Sequence, residues 1–164
     1  RNWCRGDRPV DWRGRARLHI LGIMKTTLNR EQTIDLLRKH GVNLTQPRVD
    51  IACVLFSRME HLSADQILGM VNETSPSASK ATVYNTLKLL RDSGLIREVI
   101  VDPTKVFFDP NTEPHHHLYD VVTGCLTDIP QHVLRVDGMP SLPPGMVADG
   151  MDIVVRMRPS AAAV

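Results

Sequence analysis

Apolar residues recur at helical spacing from residue 29 onward. Ile34, Leu37 and Val42 stand among polar neighbours and Gly41 holds the place of a C-capping glycine, which predicts a first helix. A second is predicted behind Thr45 as N-cap, with Pro47 in the first turn and Val49, Ala52, Cys53 and Phe56 at helical spacing. Ser63 and Gln66 have capping-box spacing and open a third helix over Ile67, Leu68 and Val71, which stops before a Ser-Pro-Ser turn at 75–77. Residues 79–93 predict a fourth, with the stripe Val83, Leu87 and Leu90, Leu89 and Leu95 beside it, and Gly94 as its stop. The period then shortens. Residues 95–101 and 106–108 are β-rich runs around Asp102, Pro103, Thr104 and Lys105, the pattern of a hairpin.

Short helices followed by a two-stranded hairpin are the layout of a winged helix, whose last helix before the wing enters the DNA major groove. Residues 109–114 read as a hinge, 118–122 and 126–129 as strands around Thr123 and Gly124, 131–136 as a helical turn, and 151–157 as a last strand. The expected fold is α+β. A winged helix-turn-helix domain spans 28–109, a hinge 110–114, a small α/β unit 115–160 and a tail 161–164. The second unit is too small to bury much core alone, so pairing with a second copy is its expected route to stability.

Composition narrows the function classes. The chain has 164 residues, 42% hydrophobic and 23% charged, and no apolar run approaches the roughly 18 to 20 residues needed to cross a bilayer. Aromatic content of 4% argues against a stacking platform for single strands or sugars. Cys4, Cys53 and Cys125 are an odd number without a CxxC pair, which supports neither a disulfide framework nor a cysteine-built zinc site, and a reduced, cytoplasmic setting is expected. Charge is uneven. Residues 1–23 carry six arginines against two aspartates, whereas 106–164 carry three basic and seven acidic residues. A basic front half suits a polyanion and an acidic, histidine-bearing back half suits cations. Because the first methionine is Met24, residues 1–27 are read as a basic extension outside the folded part: a misplaced start, a phosphate-gripping arm or a targeting peptide.

Two groups of residues could carry chemistry. The fourth helix has a polar face of Lys80, Thr82, Tyr84, Asn85, Lys88 and Arg91, and Arg48 and Lys105 stand where each could reach phosphate beside it. A merely solvated face is the bland account; the winged-helix context favours DNA. His115, His116 and His117 are consecutive, so in a strand His115 and His117 share one face while His116 takes the other. Two imidazoles at that spacing can share a divalent metal completed by carboxylates, with Asp109, Glu113, Asp120 and Asp128 nearby, or one can ligate haem iron. His61, taken alone, reads as an ordinary surface or packing histidine, and His19, His40 and His132 as structural. No P-loop, dinucleotide fingerprint, GxSxG or HExxH occurs, so a histidine-metal hydrolase is the one enzyme alternative and a non-enzyme is expected.

Five segments together resemble the ferric uptake regulator family of bacterial metal-responsive repressors: LTQPR at 44–48, HLSADQI at 61–67, SKATVYNTLKLLRDSGLI at 79–96, KVFFD at 105–109 and the histidine tract. Within it the chain looks like the iron response regulator branch of rhizobia and related alphaproteobacteria, whose members carry HHH and a DIP string such as that at 128–130. The resemblance implies an N-terminal winged helix, a C-terminal dimerisation domain, and a homodimer reading AT-rich inverted repeats in double-stranded DNA. By position, Tyr84 and Asn85 would face bases, and Arg48, Lys80 and Thr82 phosphate. The family's regulatory metal, Fe(II), Mn(II) or Zn(II), would map to His61, Asp109, His117 and Asp128. In the branch the tract is associated with haem, so His115, His116 and His117 would sense haem and a haem-biosynthesis protein would deliver it. Most members hold structural zinc with two CxxC pairs; here Asp120 and Thr123 stand at the first pair's positions, which puts that zinc in doubt. Cys4 is followed by Arg5, so the Cys-Pro haem motif of some members is absent. The expected function is haem-modulated regulation of iron and haem genes, with metal-activated repression of metal uptake as the alternative.

Overall fold

The structure is a computed structural model that describes residues 27–74 and 78–160. Residues 1–26 of the basic extension, residues 75–77 and the whole tail 161–164 lie outside the described residues. The described chain divides between Thr112 and Glu113 into two compact units.

The first unit runs α1 (Arg30–Lys39), α2 (Gln46–Arg58), α3 (Ala64–Thr74), α4 (Lys80–Asp92), β1 (Arg97–Asp102) and β2 (Lys105–Asp109). Its helices start where their sequence provides caps. Asn29 accepts from the Gln32 backbone while the Gln32 side chain accepts from Asn29 N–H at 2.9 Å, a full capping box; Ser63 and Gln66 form the expected second one. Thr45 sits at the N-cap of α2 in extended conformation but makes no side-chain cap bond; the α2 start relies on Pro47 instead. Two helices end in the same way. Gly41 and Gly94 both adopt φ of 70°, which lets Val42 and Leu95 return N–H bonds of 2.9 Å to the Leu37 and Leu90 carbonyls. That geometry needs the left-handed region, where a Cβ is unfavourable.

The apolar faces of all four helices meet in one cluster built around Leu37, Ile51, Leu55, Ile67, Val83, Leu87 and Leu90, each fully covered. Each such side chain contributes about 1.5–3 kcal/mol over leaving it exposed. The hairpin β1–β2 is antiparallel, with a register shift between Ile100 and Asp102. An isolated bridge between Leu62 and Phe108, with N–H to carbonyl distances of 3.3 and 2.8 Å, ties β2 to the residues that precede α3.

The second unit holds β3 (His115–Asp120), β4 (Leu126–Pro130), one 3-10 turn (Gln131–Val133) and β5 (Val154–Met157) in a three-stranded sheet of order β4-β3-β5. β3 pairs antiparallel with β4 and parallel with β5. Three details differ from the sequence pattern. The histidine tract lies inside β3, which starts three residues before the predicted strand, because pairing with β4 extends to Pro130. The helical turn shortens to 131–133. β5 begins at Val154 rather than at residue 151.

Candidate metal centre and nucleic-acid face

Register builds the first pair of candidate ligands. Since Leu62 pairs antiparallel with Phe108, His61 falls opposite Asp109. The side chains meet: His61 Nε2 lies 3.4 Å from Asp109 Oδ2, the ring 4% exposed and the carboxylate fully buried. Asp109 Oδ1 is fixed by the Asn111 N–H at 2.8 Å. His61, unremarkable when taken alone in the sequence, is thus a buried partner of a buried carboxylate.

Register also builds the second group, within the other unit. His117 on β3 is the cross-strand partner of Asp128 on β4, and His115, two residues earlier, shares that face. His115 Nε2 is 3.0 Å from His117 Nε2 and 3.5 Å from Asp128 Oδ1, and one ligand atom from each of the three lies within 4.8 Å of the others. The Nδ1 of His115 is 2.7 Å from the Glu113 carbonyl. A carbonyl can only accept, so Nδ1 carries a proton, and in the neutral ring the Nε2 lone pair points at the cluster. Two ring nitrogens and a carboxylate converging in a buried space suit a borderline divalent cation.

The sequence reading assigned His115 to haem and left it out of the metal set. The strand places its Nε2 beside His117 and Asp128, the pairing that the alternation of His115 and His117 on one strand face allowed. His116 points the other way, is 4% exposed, and its Nδ1 has no hydrogen-bond partner among the described residues. The three imidazoles therefore do not share one face of β3. Of the other nearby carboxylates, Glu113 contributes its backbone, and Asp120 caps the β3–β4 turn. Asp120 Oδ1 accepts N–H bonds from Val122 at 2.9 Å and Thr123 at 3.3 Å, and its carboxyl is held below the usual carboxylate range by the Val122 N–H first and the Thr123 side chain next. A hydrogen-bonded turn closes this corner. Cys53 is a free thiol, and Cys4 lies outside the described residues.

The nucleic-acid candidates lie in the first unit. Lys80, Tyr84 and Lys88 follow one another at i, i+4 along α4 and are exposed with Asn85, Tyr84 to 46%. Lys80 Nζ sits 3.1 Å from Asp65 on α3 and 5.8 Å from the Tyr84 ring centre. The Thr82 hydroxyl is 2.9 Å from Ser79 Oγ, so it belongs to the α4 N-cap. Arg48 donates to the Asn43 carbonyl at 3.0 Å, and Lys105 is exposed at the wing turn. Arg91 is paired with Glu98 at 2.8 Å and Asp92 at 2.9 Å, which joins α4 to β1.

Residues 39–137 match the model of the ferric uptake regulator family. The chain belongs to that family. It is 33% identical over 112 residues to the peroxide-responsive repressor PerR of Staphylococcus epidermidis, covering 68% of this chain and 73% of that protein. The manganese-bound ferric uptake regulator of Pseudomonas aeruginosa superposes with a TM-score of 0.57 at 25% identity, over 77% of this chain and 98% of that one. The Campylobacter jejuni peroxide stress regulator shares the fold, with a TM-score of 0.52 at 22% identity over 77% and 96%. As a ferric uptake regulator family member the chain is a metal-responsive transcriptional regulator with the family's α+β fold, an N-terminal DNA-binding domain and a C-terminal dimerisation domain. Family members are regulators rather than enzymes and act as DNA-binding dimers. Among the described residues no helix is long and apolar enough to cross a membrane.

Proposed function

We propose that this regulator is a homodimer whose grip on AT-rich inverted repeats in double-stranded DNA is set by one divalent cation, Fe(II), Mn(II) or Zn(II), bound by His61, Asp109, His117 and Asp128 with His115 added. The observation that carries this reading is the convergence of His115, His117 and Asp128 ligand atoms on one sheet face. It is supported by the buried His61–Asp109 pair in the first unit, which has two donors and on its own too few for a divalent cation. The cation would supply positive charge to the buried Asp109 carboxylate and the half-buried Asp128 carboxylate. Tyr84 and Asn85 would read bases; Arg48, Lys80, Thr82, Lys88 and Lys105 would face phosphate, Lys80 after leaving Asp65.

Haem modulation through His115, His116 and His117, with delivery by a haem-biosynthesis protein, is the second reading and rests on the tract and the resemblance to the iron response branch. The burial of all three rings and the opposed direction of His116 weigh toward the small cation. The test is a pair of titrations followed by binding to an AT-rich inverted-repeat duplex. Mn(II) or Fe(II) should tighten duplex binding in wild type and not in His117→Ala. By linkage the duplex should tighten metal binding by the same factor. A Soret shift at low micromolar haem that requires the tract and releases DNA would replace the metal reading. A cytoplasmic setting accords with a DNA-binding regulator.

A further inference from the structure

Asp109 ends β2 with a fully buried side chain. One carboxylate oxygen, Oδ1, takes the Asn111 N–H, and the other, Oδ2, faces His61. A third group faces Oδ2. Arg97 opens β1 directly opposite Asp109 in the hairpin register, and its Nε stands 3.9 Å from Oδ2 with the side chain 20% exposed. A guanidinium therefore already compensates the carboxylate assigned above to the metal. Unlike an imidazole, it stays charged at any working pH and cannot become a ligand. A divalent cation arriving at Oδ2 meets a fixed positive charge, and like charges held close disfavour each other strongly in a partly desolvated site.

We propose that Arg97 is a built-in counter-cation that competes with the divalent metal for Asp109, and so sets the metal concentration at which the regulator loads. Without metal it keeps a buried carboxylate compensated. With metal that role passes to the incoming cation, and loading must overcome the repulsion. The inference rests on the reading of Asp109 as a metal ligand. Arg97 is a positioning residue acting through Asp109, and it lies outside the set of ligands.

The experiment is Mn(II) titration of the full chain by calorimetry at fixed pH, in wild type, Arg97→Gln, Arg97→Lys, Asp109→Asn and the Arg97→Gln/Asp109→Asn double variant. Arg97→Gln should tighten Mn(II) roughly tenfold, the size of effect one neighbouring charge has on proton binding at a carboxylate. Arg97→Lys should stay near wild type, and the gain should vanish in the double variant. Thermal midpoints give a second readout. Arg97→Gln should lower the midpoint in chelator and enlarge the rise produced by saturating Mn(II). Equal lowering in both conditions with an unchanged Kd would mean a purely structural arginine and overturn the proposal. If Asp109→Asn loses Mn(II) while Arg97→Gln binds like wild type, Arg97 alone is misassigned. If Asp109→Asn binds like wild type, the metal role of Asp109 fails and takes this inference with it.

Discussion

In the first unit, the apolar side chains of four helices and a hairpin converge on one cluster, and among the described residues only Tyr84 and Ile100 remain as large exposed apolar residues. In the second, the sheet covers Tyr119, Leu126 and Ile129, while Val122, Met139, Met146, Val147 and, on β5, Val155 and Met157 stay exposed. The charged chemistry is distributed the other way. The second unit buries three adjacent histidines in one strand, and the first buries the Asp109 carboxylate beside His61 and Arg97. One unit is stabilised by its own core. The other has too little, and exposed apolar surface on this scale marks a binding face, which in this family is a second copy.

That contrast can be broken at several points. Leu55→Ala in the first unit should cost about 2–5 kcal/mol by opening a cavity, read as a fall in melting temperature, whereas Val147→Ala, at a residue 87% exposed, should stay within about 0.5 kcal/mol. Comparable losses would show that the second unit also has a packed core around Val147. Tyr84→Ala tests whether the exposed ring on the well-packed unit is functional. It should cost about 1–3 kcal/mol of specific duplex binding with little change in melting, and equal losses on specific and random duplexes would remove its base-reading role.

Smaller effects probe the second unit. Val155→Asp on β5 should raise the dimer dissociation constant at least about tenfold, equivalent to about 1.4 kcal/mol, as read by sedimentation; an unchanged dimer would place the copy elsewhere. Asp120→Ala should cost about 0.5–1 kcal/mol by removing the turn's acceptor. Because the folded turn lowers the Asp120 pKa, its contribution is present above the ordinary carboxylate range of about 4 and is lost as pH falls below it. The difference between wild type and variant should therefore shrink in acid, and a constant difference from pH 7 to pH 3 would show that the anion is not what the turn uses.

Helices were the most legible part of the sequence, since capping residues and a 3.6-residue period act locally; the α4 stripe of Val83, Leu87 and Leu90 and both glycine stops lie where the pattern placed them. Strand limits were less legible. β3 reaches back through the histidine tract only because β4 pairs with it as far as Pro130, and no local propensity reports that partner. Within the site, the alternation of His115 and His117 was readable, but the sharing of a face with Asp128 required the β3–β4 register.

By itself, the sequence determined the order of elements, four helices followed by a hairpin, the basic-to-acidic division of the chain, and the motifs that resemble a metal-responsive regulator family. Tertiary structure decided which distant residues meet. His61 reaches Asp109 because the Leu62–Phe108 bridge joins the residues before α3 to β2, and Arg97 reaches it because the β1–β2 hairpin sets those two positions opposite each other. The physical reason is that periodicity records how a segment faces the core, whereas strand register, fixed by packing and hydrogen bonds between segments far apart in the chain, chooses which polar groups share one buried space.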